Sequence, residues 1–252
     1  MKIAVAGGTG LVGRPTVEAL RRTGHDPVVL ARSAGVDLTT AAGLAAALDG
    51  VDAVIDLTNT PSFDTDQVRA FFATVTGHLL AAERDAGVRH HVVLSIVGLD
   101  RLPDHGHYAG KREQERLALS GPVPCSVVRA TQFFDFAAQM VERTRRGESA
   151  VLPPLLVQPV AVSDVADVVV EVAAGEPVNG ICELAGPETQ DLVDMARRTL
   201  QARGESLRLI PTWRVRYGVE VAGEVLLPGP DARIAPTTFD DWLASQTRPA
   251  TQ

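Results

Sequence analysis

"MKIAVAGGTGLVG", residues 1–13, is the stretch on which the fold turns. Ile3-Ala4-Val5-Ala6 is a short continuous apolar run. Glycines follow at once at positions 7, 8, 10 and 13, and the helical pattern Leu11 to Arg22 opens among them. A strand that passes through glycines straight into a helix is the context in which a glycine loop holds phosphate. Without Cβ atoms, Gly7 and Gly10 let the backbone turn sharply and let a pyrophosphate approach it closely. The first N–H groups of the helix are unpaired and point at the anion. Gly13 lets the helix pack against the sheet. The same glycines in a plain strand-to-helix turn would hold no ligand, so the rest of the chain has to bear on the choice.

Outward from the loop, strand-length apolar runs alternate with longer helical patterns. Val28 to Ala31, Ala53 to Leu57, His91 to Ser95 and Cys125 to Arg129 read as strands. Leu44 to Leu48, Gln67 to Ala86 and Gly110 to Leu119 read as helices. Continuous apolar strands imply a sheet buried on both faces, hence parallel strands with helices on each side. This is the alternation of an α/β, doubly wound, Rossmann-type parallel sheet. Residues 1–130 are expected to form its dinucleotide-binding core.

After about residue 130 the pattern changes. Phe133 to Arg146 reads as a helix, broken by Val151-Leu152-Pro153-Pro154. Leu156 to Val162 suggests a strand, with Ser163-Asp164 capping a helix Val165 to Ala174. Ile181 to Ala185 reads as a strand and Leu192 to Ala202 as a helix. Residues 131–252 are expected to form a small C-terminal substrate lobe interleaved with the sheet, in one structural unit. The last residues, Ser245 to Gln252, are expected to be loose.

The totals exclude several classes. The chain has 252 residues, 45% of them hydrophobic and 22% charged, the mix of an ordinary globule. No apolar stretch is long enough to span a bilayer, and no signal-peptide pattern precedes the glycines, so a cytoplasmic location is expected. The net charge is −7 with no basic block, which argues against nucleic acid or an anionic membrane as direct partner. Cys125 and Cys182 read as buried thiols, and no Cys/His spacing suits a metal. A homodimer with two-fold symmetry is the base-rate expectation for assembly.

The end of the second strand bears on the cofactor. It reads Leu30-Ala31-Arg32-Ser33, with no acid after it; Asp26 precedes it. A free ribose 2′-hydroxyl usually meets an Asp or Glu there. Arg32 can instead pair with a 2′-phosphate, and Ser33 can donate a hydrogen bond. That favours NADP (NADPH) over NAD.

The glycine spacing 7, 10, 13 resembles the short-chain dehydrogenase/reductase superfamily, especially its atypical members. Gly50 to Ile55 resembles their third βα unit. "RATQFFDF" (129–136) and "QPVAVSDVADVVV" (158–170) look like the NmrA-like branch, and "GICELAGPE" (180–188) is similar to its late strand and loop. The resemblance runs to about residue 210; the tail from Trp213 carries no such motif. It implies that Gly7, Thr9, Gly10, Leu11 and Val12 hold the pyrophosphate and that Arg32 and Ser33 hold the adenosine phosphate. Asp37 and Leu38 would lie near the adenine. Leu57, Thr58 and Asn59 would line the middle of the cofactor, and Ala130, Thr131 and Gln132 would sit beside the nicotinamide.

In the superfamily a serine ends one strand, and a tyrosine stands four residues before a lysine. The tyrosine moves the proton; the lysine lowers its pKa and holds the nicotinamide ribose. Ser95 and Lys111 stand where that serine and lysine belong. The position four before Lys111 is His107, and Tyr108 is three before it. Both fall on nearly one helix face, so Tyr108 and His107 are both candidate proton donors. Gln132, Phe133, Phe136 and Trp213 are candidates to line an apolar substrate pocket, with Tyr217 beside Trp213 in the tail. His90 and His91 lack a metal partner at useful spacing, and Asp164 and Asp167 read as a cap and a first-turn acid.

The expected activity is hydride transfer between NADP(H) and a small apolar carbonyl, enone or quinone. With an enone or a quinone, solvent could supply the proton. A different class remains open: a sensor that binds the dinucleotide and acts on a partner without turnover. An epimerase or cyclase that keeps its cofactor is the third reading.

Overall fold

The structure, a computed structural model, describes residues 1–214 and 221–246. The first half alternates as its apolar periods predict. β1 (Lys2–Ala6), β2 (Asp26–Leu30), β3 (Ala53–Asp56), β4 (His90–Ile96) and β5 (Cys125–Ala130) are separated by α1 (Gly13–Arg22), α2 (Leu44–Ala47), α3 (Thr65–Ala86) and α4 (Gly106–Leu119). The second half adds α5 (Phe136–Thr144), β6 (Ser149–Leu152), β7 (Leu156–Val157), α6 (Val162–Ala174), β8 (Gly180–Ala185) and β9 (Gln190–Asp191). It continues with α7 (Leu192–Ala202), β10 (Arg208–Pro211), β11 (Arg233–Ile234) and α8 (Phe239–Gln246).

Seven strands form one parallel sheet in the order β11-β8-β5-β4-β3-β1-β2. Alternation along each strand sends its residues to opposite faces. Ile3 and Val5 of β1, Ile55 of β3 and Val92 of β4 pack with α1 and α6. Ala4, Ala6 and Val54 pack with α2 and α3, and Val93 and Val127 pack with α4. Asp56, Ser95 and Arg129 stand two residues after Val54, Val93 and Val127, so they belong to the α3/α4 face. β1 has β2 on one side and β3 on the other, and the winding reverses there. Sheets of this kind bind ligands in the crevice beyond the carboxyl ends of the strands at that reversal.

Local chemistry sets the ends of the long helix α3. The Asp64 side chain accepts from Gln67 N–H at 2.9 Å, and Gly87 closes the helix at φ 72°. Gly110 in α4 has no side chain to spare: a Cβ there would lie 2.4 Å from Val68 and 2.5 Å from Phe72. That absence lets α4 lie close against α3.

The second half departs from its periodicity in several places. The helix expected from Phe133 starts only at Phe136. Phe134 N–H bonds Val160 O and Val160 N–H bonds Gln132 O, which holds Gln132 to Phe134 extended. The break expected at Val151-Leu152 is instead the end of β6, which pairs in parallel with β10. The strand expected over Leu156 to Val162 shrinks to Leu156–Val157, paired antiparallel with β9, because Val160 turns to Gln132 and α6 begins at Val162. Ser163-Asp164 therefore lies inside the first turn, and Ala161 is the N-cap. The Asp164 carboxylate accepts from Thr237 N–H at 3.1 Å and from its hydroxyl at 2.9 Å, tying the tail to α6. Asp167 pairs with Arg22 of α1. Ser245 and Gln246, expected to be loose, belong to α8; residues 247–252 and Tyr217 lie outside the described residues.

A second apolar cluster joins Phe134, Val141, Leu152, Leu192, Met195 and Phe239 of this half. β8 returns to the central sheet beside β5. Among the described residues, no helix is long and apolar enough to cross a membrane.

Candidate active site

The glycine loop forms a cradle that side chains would fill. Gly7 sits at φ 77°, and a Cβ on it would lie 2.8 Å from Leu57 O. A Cβ on Gly13 would lie 2.1 Å from Gly7 O, so the helix could not start where it does. Gly10 N–H bonds Gly7 O at 2.9 Å and closes the turn. Thr9, Gly10 and Leu11 are exposed on its rim, and Val12 is buried beneath. This bare backbone at a helix N-terminus fits a pyrophosphate. Gly7 against Leu57 also places the loop beside the segment Leu57-Thr58-Asn59, across the crevice between β1 and β3.

Arg32 and Ser33 open a short 3-10 turn (Arg32–Ala34) directly after β2, and both are exposed. The first acid beyond them, Asp37, is engaged locally. It accepts from the Thr39 hydroxyl at 2.7 Å and from Thr39 N–H at 2.9 Å, and these bonds hold its carboxyl below the usual range. Leu38 O meets His78 Nδ1 at 2.8 Å.

Beneath the crevice runs a buried polar chain. Asp56, at the end of β3, accepts from Thr58 Oγ1 at 2.6 Å and Thr58 N–H at 2.9 Å. Its other oxygen accepts from Gln114 Nε2 at 2.7 Å. Gln114 Oε1 in turn accepts from the Lys111 ammonium, which also donates to Leu94 O at 2.6 Å. β3 ends in register with Val93, one residue short of Leu94, so the lysine reaches a carbonyl beyond the end of that neighbour. Lys111 is thus turned inward, with its Nζ 5.0 Å from the Phe72 ring centroid. Burial pulls its pKa down to about 8, with Asp56 and Glu115 holding part of it up.

Ser95 and the residues after β5 meet at one edge. Ser95 pairs in register with Arg129 and Ile96 with Ala130, so Thr131 and Gln132 follow directly alongside. Ala130 and Thr131 are buried, and the Thr131 hydroxyl donates to Gln158 O at 2.6 Å. Ser95 Oγ and Gln132 Oε1 are buried, and neither has a hydrogen-bond partner among the described residues. Such orphans are uncommon and ask for a ligand or an ordered water. Phe133 packs partly buried against the sheet core, and Phe136 against the second cluster. Trp213, just past β10, is 38% exposed.

His107 and Tyr108 diverge, as their 100° separation on the helix requires. His107 faces Phe72 of α3, ring centroids 6.1 Å apart. Tyr108 packs against the second cluster, with Phe136 and Met140. Burial lowers the His107 pKa to about 4, with help from the charges of Lys111 and Arg143, so the ring is neutral at pH 7. Below them Arg129 is buried and forks twice. It meets Glu115 of α4 at 2.9 and 2.6 Å and Asp100 at 2.6 and 3.1 Å, clamping α4 to β5.

Gln114, Asp56 and the Arg129–Glu115 pair escaped the sequence reading. One signal was legible: an aspartate inside the apolar run Ala53 to Leu57 must find a donor. Which donor depends on how α4 lies on the sheet. His90 and His91 found partners in the core. His90 Nε2 meets Ser126 Oγ at 2.9 Å, and His91 Nδ1 meets Glu83 at 2.9 Å with both side chains fully buried.

A family model described as NAD(P)H-binding matches residues 34–176. A Streptomyces griseus protein, (4-alkanoyl-5-oxo-2,5-dihydrofuran-3-yl)methyl phosphate reductase, is 30% identical over 272 residues, covering 99% of this chain and 87% of that one. Among solved structures, an NADPH-dependent quinone oxidoreductase of Escherichia coli superposes with a TM-score of 0.68 at 15% identity, covering 98% of this chain and 100% of that one. A short-chain dehydrogenase/reductase superfamily protein of Agrobacterium tumefaciens with bound NAD gives 0.68 at 20% identity, covering 98% and 96%. The two structures share the fold.

Proposed function

The chain belongs to the NAD(P)H-binding family of atypical short-chain dehydrogenases/reductases and is an NAD(P)-dependent oxidoreductase; from that premise we propose that it takes NADPH and reduces a small, rather apolar enone, or a related carbonyl or quinone. The observation that carries this reading is the buried Ser95 hydroxyl at the carboxyl edge of β4, which has no hydrogen-bond partner among the described residues. The substrate in the name of the Streptomyces reductase has a ring alkene conjugated with two carbonyls, which supports the enone class. Arg32 with Ser33, and the absence of a free acid after β2, support NADPH over NADH.

The bound nicotinamide would supply the hydride. Ser95 donates its O–H to the acceptor's carbonyl oxygen, where negative charge grows. Lys111 keeps a positive charge behind the end of β4. In an enone the β-carbon receives the hydride and the α-carbon then needs a proton. His107, neutral at pH 7, has no imidazolium proton to give. Tyr108 or solvent fills that role.

The test is a titration with NADPH and NADH by nicotinamide fluorescence, then turnover on acylated dihydrofuranones and quinones. NADPH is expected to bind more tightly, with that preference lost in Arg32→Ala. NADPH oxidation is expected with an enone and should fall at least tenfold in Ser95→Ala. Equal binding of both cofactors, or an undiminished rate in Ser95→Ala, refutes the assignment.

A cofactor-binding sensor without turnover is the second reading. It is favoured by His107 at the tyrosine position and by a Lys111 ammonium already bonded to Leu94 and Gln114. It predicts tight NADPH binding with no oxidation across the panel.

A further inference from the structure

On α5, residues 136, 140 and 143 are spaced four and three apart, so they share one stripe of the helix. Phe136 and Met140 pack with the cluster that Tyr108 joins. Arg143 extends the stripe outward, and its guanidinium carbon lies 5.8 Å from the centroid of the Phe63 ring. Phe63 is 54% exposed and belongs to the segment that leaves the crevice after Asn59. Arg143 therefore bridges the gap between the substrate lobe and the cofactor side of the sheet. His107 lies close enough for the arginine's charge to help depress its basicity.

The surrounding cations are mostly matched. Arg69 and Arg112 pair with Asp104, Arg116 with Glu113, Arg129 with Glu115 and Asp100, and Arg145 with Glu142 and Glu205. Arg143 is exposed and makes no ion pair among the described residues; its guanidinium lies over an aromatic face. A planar guanidinium in that state is matched to a carboxylate or a phosphate, which it takes through two parallel N–H bonds. The stripe beside it is apolar.

We propose that Arg143 forms an anionic subsite at the mouth of the substrate cleft, which selects acceptors carrying a phosphate monoester or similar oxyanion on an apolar, acyl-bearing body. This rests on the enone-reductase reading above and names the substrate class it would serve. Phe63 supports the guanidinium from the cofactor side, and Phe136 and Met140 face the apolar body. The same oxyanion chemistry occurs in the cofactor's phosphates. Those belong to the glycine loop and Arg32, so the two sources separate by mutation.

The experiment is calorimetry on the protein loaded with NADP+, which cannot reduce the probe. The probes are a hydroxymethyl-substituted acyl dihydrofuranone and its phosphate ester. Wild type is expected to bind the ester at least tenfold more tightly than the alcohol. Arg143→Ala should erase that preference and leave NADP+ affinity unchanged, and Arg143→Lys should restore part of it. No preference in wild type, or a preference that survives Arg143→Ala, overturns the subsite. So does an equal loss of NADP+ affinity, which would assign the arginine to the cofactor. Turnover of either probe with NADPH is scored separately. A preference with no turnover would sink the reductase reading and leave the subsite standing.

Discussion

Gln114→Leu is the sharpest test of the polar chain under the crevice. The glutamine side chain is fully buried and joins two charged groups that lack direct contact with one another. Leucine matches its bulk but offers neither donor nor acceptor. Asp56 would keep its two bonds from Thr58, and Lys111 would keep its bond to Leu94 O. Each lost bond involves an ionised partner, and such bonds contribute about 1.5–3 kcal/mol. Because each partner retains other contacts, the low end applies to both, which gives a loss of about 3 kcal/mol. That is a large share of a total stability of about 5–15 kcal/mol. With a urea slope of about 2.5 kcal/mol per molar, the unfolding midpoint should fall by about 1.2 M. The assay is equilibrium urea unfolding followed by tryptophan fluorescence, with Arg116→Gln as control. Arg116 pairs with Glu113 on the exposed face of the same helix, where solvent screens the pair and the midpoint should barely move. A midpoint shift in Gln114→Leu no larger than in the control would refute the reasoning. It would mean that Lys111 and Asp56 are solvated or re-paired without the glutamine.

Three further outcomes follow from the same geometry. The Lys111 pKa falls to about 8 in the folded chain from an unperturbed 10.5. Between those values the unfolded state binds more protons, so stability gains from rising pH. Wild type should therefore gain stability from about pH 8 to pH 10.5 relative to Lys111→Met, and parallel curves would show that the buried ammonium is not strained. Gly13→Ala would place a methyl 2.1 Å from a backbone oxygen, which no side-chain motion relieves, so NADPH affinity should fall at least tenfold; retained affinity in a folded variant would sink the cradle. With the imidazole neutral down to a pH of about 4, His107→Gln should keep turnover within threefold between pH 6 and 8. A tenfold loss, or an inflection near pH 6.5 that the variant removes, would make His107 the acid.

The core strands, the doubly wound class and the glycine loop were all legible in local sequence. Each depends on short-range facts: continuous apolar runs, glycine's missing Cβ, and a helix N-terminus that must follow. The second half was less legible because its elements are held by distant partners. Gln132 to Phe134 is extended because Val160 bonds it, and Asp164 serves Thr237 instead of capping its own helix. At the site, sequence spacing put Ser95, His107, Tyr108 and Lys111 on the table but could not say where each one turns. Strand alternation placed Ser95 and Asp56 on the α4 side, yet only the seating of α4 on the sheet decided that Lys111 would reach Leu94 and Gln114. That seating comes from Gly110 against Val68 and Phe72, and from Arg129 forked onto Glu115 and Asp100. Periodicity along a chain decides which face a side chain occupies. Its partner across the crevice is decided by packing between elements tens of residues apart, which no local pattern encodes.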